Sequence, residues 1–140
     1  MNYIVESILV GVYTFLMYIV FSPFIKNFYV LLLVVGFMKH FLGSSIGLHT
    51  WYCNNGEACL KLLHEEFSRS PNKYVANTIY LIRDSVYEAI IFIIIGTILS
   101  YKLTKGYLFF TIGLLLHILS EKLLIHKSFC KKTCDKINSN

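Results

Sequence analysis

Six ionisable side chains stand inside stretches otherwise built from hydrocarbon: Glu6, Lys39, His40, Glu88, His117 and Glu121. Such a group at the centre of a bilayer costs about 3 kcal/mol on insertion scales, so it needs a partner and marks a functional position by default. His40, Glu88, His117 and Glu121 are the set with chemical potential. Two imidazoles and two carboxylates suit a divalent transition metal, zinc, iron, copper or nickel. His117 and Glu121 are four residues apart and share a helix face. The same four could relay protons, because imidazole titrates near neutrality and a carboxylate beside it moves its pKa. The plainer alternative is a set of ion pairs, such as Lys39 with Glu88, that fixes helix register. No HExxH or comparable helix-borne motif decides among these, and the residues name neither a catalytic group nor a cofactor.

Cys53, Cys59, Cys130 and Cys134 offer a second chemistry. Three readings stand side by side. Free thiols suit a reducing compartment. Two disulfides have three pairings available. A four-cysteine zinc site fits the C-x3-C spacing of the second pair tolerably and the C-x5-C spacing of the first poorly.

The elements that must position these groups are helices. The chain has 140 residues, 56% hydrophobic and 15% charged, and its mean hydropathy is +0.60. A hydrocarbon layer about 30 Å thick calls for roughly 20 apolar residues per crossing. Four stretches meet or approach that length: about 3–21, 24–48, 82–101 and 107–124. The expected fold is therefore all-α, a polytopic membrane protein with a four-helix transmembrane domain over 1–125 and a basic tail over 126–140. A short amphipathic helix over about 55–69 is expected in the loop between spans two and three. Its apolar face would be Leu60, Leu63 and Phe67, and it would lie on the membrane surface or pack over the bundle. Ser22-Pro23 reads as the N-cap and first residue of the second span. Gly36, His40, Gly43 and Gly47 recur at helical spacing on one face, where small residues let helices approach closely. Gly113, with His117 and Glu121, repeats the pattern on the fourth span.

The formal charge is +5. Most of the basic residues fall on the side shared by the termini and the 49–81 loop, which the positive-inside rule assigns to the cytoplasm. Basic residues without an aromatic-interleaved helix face do not indicate nucleic acid. The partners expected are the bilayer and, through the glycine face, a second copy or another membrane protein.

Four spans with two cysteine pairs on one face resemble the membrane thiol oxidoreductases that pass electrons from protein thiols to quinone, vitamin K epoxide reductase among them. Those proteins carry a CxxC pair, which this chain lacks. The segment His40-Phe-Leu-Gly-Ser-Ser-Ile-Gly-Leu-His-Thr-Trp-Tyr-Cys-Asn-Asn-Gly-Glu-Ala-Cys59 resembles a block in small multi-span membrane proteins of large DNA viruses, which implies a virion or host internal membrane. The function expected is a structural, scaffolding or assembly role on the cytoplasmic face. The alternatives are a thiol–disulfide oxidoreductase and a small metal- or proton-handling transporter.

Overall fold

Asparagine starts three of the four long helices. In the computed structural model, which describes residues 2–65, 72–74 and 77–136, the side chains of Asn2, Asn27 and Asn77 accept backbone N–H groups of α1 (Tyr3–Phe21), α2 (Phe28–Ser45) and α5 (Thr78–Leu99). Each carbonyl oxygen satisfies donors that an α-helix leaves without an internal partner. The remaining helices are α3 (Leu48–Asn55), α4 (Glu57–Glu65), α6 (Lys105–Lys122) and α7 (Ile125–Thr133). The architecture is all-helical apart from one antiparallel pairing of two short strands, β1 (Asn72–Tyr74) with β2 (Cys134–Lys136).

Three expectations need correction. Ser22 caps the end of α1, its N–H donating to the Tyr18 carbonyl. Helix α2 therefore begins at Phe28, where Asn27 offers a better cap than Ser22-Pro23. The loop holds two helices, α3 and α4, because Gly56 takes extended backbone between them. Among the described side chains of α4, Ala58, Cys59 and Leu62 are buried, packed towards α7. Phe67 and Ser70-Pro71 lie outside the described residues. The segment after residue 125, expected as a tail, is helical as far as Thr133 and folded against the loop.

Helix α1 packs along α6, and α2 packs along α5. At the end away from the loop the interior is apolar, built from Leu32, Val35, Phe92, Phe109 and Ile112. At the other end it turns polar, with Glu6 and His117 buried. Beyond that lies a cap of α3, α4, α7 and the strand pair, whose own small core contains Cys59 and Cys130.

Glycines hold the helix pairs together, Gly11 among them, whose Cβ would lie 3.0 Å from the Phe110 carbonyl oxygen. A Cβ at Gly36 would lie 2.9 Å from the Ala89 Cα, and one at Gly113 would lie 3.0 Å from the Val10 carbonyl oxygen. Gly43 and Gly47 do not act this way. Gly43 faces His49 across ordinary contact distance, and Gly47 adopts φ +84° at the turn from α2 into α3.

Helices α1 and α2 are each long and apolar enough to cross a membrane, and α6 with α7, bent by 78° at their junction, would make a third crossing if counted as one. The sequence expectation is four. Helix α5 falls short by composition, because every 18-residue stretch of it contains Arg83, Asp84 and Glu88.

Candidate functional site

Glu6, Lys39, His40, Glu88 and His117 of the long helices gather around one cavity of about 510 Å³ beneath the cap. Its polar wall has two ends: Lys39, His40 and Glu88 at one, Glu6, His117 and His126 at the other. Its apolar wall is Leu9, Val12 and Leu16 of α1 with Leu48 and Trp51 of α3. All five are more than one-third exposed, so the cavity opens sideways on the surface between α1 and α3.

The first end ties α2 to α5. The Lys39 ammonium pairs with Glu88 Oε1, and His40 Nδ1 lies 3.3 Å from Glu88 Oε2. This is the Lys39–Glu88 ion pair that the sequence suggests. His49 stacks at a tilt on His40, ring centroids 4.7 Å apart. Burial, with His40 beside it, pushes the His49 imidazole down to about 3, so it is neutral at physiological pH.

The second end ties α1 to α6 and to the cap. His117 Nε2 lies 3.3 Å from Glu6 Oε2. The Glu57 backbone N–H donates to Glu6 Oε1 at 2.8 Å, and the Tyr3 backbone N–H donates to the Glu57 carboxylate. Each acid thus sits at the start of the other's helix, where free N–H groups and the helix dipole favour negative charge. Glu121 Oε1 accepts from the Tyr52 hydroxyl at 2.7 Å and lies 2.8 Å from His126 Nδ1. Burial first, then that hydrogen bond, push the Tyr52 phenol upward, so it stays protonated and donates.

Of the four residues singled out as chemical, the structure places His40 with Glu88 at one end and His117 near Glu121 at the other. Aromatic rings join the two ends, His40 to His49 to Phe129 to Tyr52 to His117. Sequence reasoning gave no role to His126 or to the Tyr52 hydroxyl. Glu121 and His126 are five apart, which is not a helix-face spacing. They meet because the chain breaks between them at Leu124.

The cysteines pair crosswise, Cys53 with Cys134 and Cys59 with Cys130. Neither bond joins near neighbours in sequence; the separations are 81 and 71 residues. The bonds are themselves neighbours, with Cys59 Sγ 3.9 Å from Cys134 Sγ. Of the three chemistries open to the sequence, the structure takes the disulfides.

Fold and site together define an all-helical protein with at least two membrane-length helices, an interior polar at one end, and a cystine-bonded cap over it. No family model, curated protein or solved structure matches the chain.

Proposed function

We propose that this chain is an integral membrane protein with four spans, α1, α2, α5 and α6, and a structural or assembly role as a rigid body locked at one end by its cap. One observation carries the proposal: the outward faces are aliphatic while the charges turn inward. Ile8 and Ile19 on α1, Leu33 on α2, Ile94 on α5 and Leu119 on α6 are all exposed, whereas Glu6, Lys39, Glu88 and His117 are held against other helices. Water favours the reverse arrangement; lipid favours this one. Pairing of Glu88 with Lys39, and of Arg83 with Asp84, lowers the cost of carrying α5 into the membrane.

In this reading both termini and the cap share one face. The lysine count assigns that face to the cytoplasm, while cystines belong to an oxidising compartment. We give precedence to the cystines, because a bond needs an oxidant and a charge bias can be overridden. The test is labelling of single introduced cysteines by an impermeant reagent. Phe24→Cys and Tyr101→Cys, on the two far turns, should label from one side, and Asn2→Cys from the other. Labelling of all three from one side would overturn four spans.

A second reading is supported by the 3.9 Å approach of the two disulfides: a thiol–disulfide oxidoreductase passing electrons between them. It predicts that a reduced dithiol protein and a quinone analogue are turned over by the purified chain. The structural role predicts no turnover.

A further inference from the structure

We infer that Glu6, His117, Glu121 and His126 form a binding site for one divalent transition-metal ion. The inference is independent of the structural role proposed above.

The site is assembled from three elements, and the chain makes an unusual turn to complete it. His117 and Glu121 lie one helical turn apart on α6. Leu124 then adopts φ 58°, a left-handed conformation that an L-residue with a side chain disfavours. This break turns α7 by 78° from α6 and brings His126 Nδ1 back to 2.8 Å from Glu121 Oε1. Glu6 reaches in from α1.

Spacing is the second argument. Four ligand atoms in a tetrahedron, each about 2.0 Å from a metal, stand roughly 3.3 Å from one another. Glu6 Oε2 and His117 Nε2 are 3.3 Å apart. The ligand atoms of His117, Glu121 and His126 all lie within 4.8 Å of each other, and Glu6 joins this set through its contact with His117. Mixed imidazole and carboxylate ligands suit zinc, iron or manganese.

Charge is the third. Glu6 is 2% exposed and Glu121 is largely covered, yet among the described residues neither makes an ion pair with Lys or Arg. With neutral imidazoles the cluster carries two negative charges, which a divalent ion balances. The His40–Glu88 end is different. Lys39 already neutralises Glu88 and repels a cation, so the metal belongs with Glu6 and His126 rather than with His40 and Glu88.

The surroundings supply the rest. Tyr52 orients Glu121 and the Glu57 N–H orients Glu6, the kind of outer support that metal ligands have. Glu6, His117 and His126 line the cavity.

The test uses protein purified without a polyhistidine tag, with its disulfides intact, stripped with chelator and titrated with Co²⁺. The expected result is one Co²⁺ per chain with visible d–d absorption, displaced by Zn²⁺. His126→Ala and Glu121→Gln should each weaken binding by at least about tenfold, and Tyr52→Phe by about tenfold through lost orientation. His40→Ala should bind as wild type. Helicity and disulfide content of each variant are measured alongside, and His126 lies outside the apolar core, so its variant separates loss of ligand from loss of fold. Folded wild-type protein that takes up no Co²⁺ would overturn the assignment. So would a His126→Ala and Glu121→Gln pair that bind as wild type, or a spectrum with thiolate charge-transfer bands.

Discussion

At the scale of single residues, the Lys39–Glu88 pair shows how charge is tolerated here. Both side chains are mostly covered, 12% and 16% exposed. Removing one partner leaves the other buried without compensation, whereas replacing both with apolar groups removes the desolvation cost along with the attraction. Lys39→Met should therefore lower stability in detergent by about 3 kcal/mol, softened by the His40 contact to Glu88. The double variant Lys39→Met, Glu88→Leu should be more stable than Lys39→Met alone. Thermal unfolding of the three proteins checks this, and equal loss in single and double variants would show that the pair is not what holds α2 to α5. This pair was legible in the sequence because both residues interrupt apolar runs at matching depth. The Tyr52–Glu121–His126 contacts were not, since they depend on a backbone break that no residue type announces; leucine is a rare occupant of the left-handed region.

At the scale of elements, the long helices could be read from hydrophobic length alone, and α1 agrees with its expected limits. The starts of α2 and α5 moved by several residues because asparagine caps set them. Glycines on one helix face suggested close packing, but spacing cannot tell which glycines meet a backbone. Gly113 does, and its Cβ would fall 2.8 Å from the Thr14 Cβ and 3.0 Å from the Val10 carbonyl oxygen, so α1 and α6 would have to separate. Gly113→Ala should cost about 1–3 kcal/mol. Gly43→Ala places its Cβ 3.6 Å from His49 Nε2, an ordinary contact, and should be close to neutral. Comparing the melting temperatures of the two variants in one detergent decides it; an equal loss would mean that the α1–α6 contact is looser than described.

At the scale of the whole molecule, the cap is joined to itself across most of the chain. Four cysteines on one face were evident from the sequence, but their crosswise pairing required the loop and the last helix to meet, through α4 on α7 and β1 on β2. Each bond should contribute on the order of 2–4 kcal/mol by restricting the unfolded chain. Reduction should accordingly lower the melting temperature and expose α3 and α4 to protease, while the α1–α6 and α2–α5 pairs stay protected. Limited proteolysis with and without reductant checks this, and an unchanged digestion pattern would count against the cap as a lock. The pairing has one more consequence. Cys53 and Cys59 precede the stretch 60–129, and their partners Cys130 and Cys134 follow it, so that stretch is the span of a covalent ring. A single cut anywhere in that ring opens it without releasing a fragment. The severed protein would run as one species until reduced, and its breakdown in a membrane would be as much a redox event as a proteolytic one.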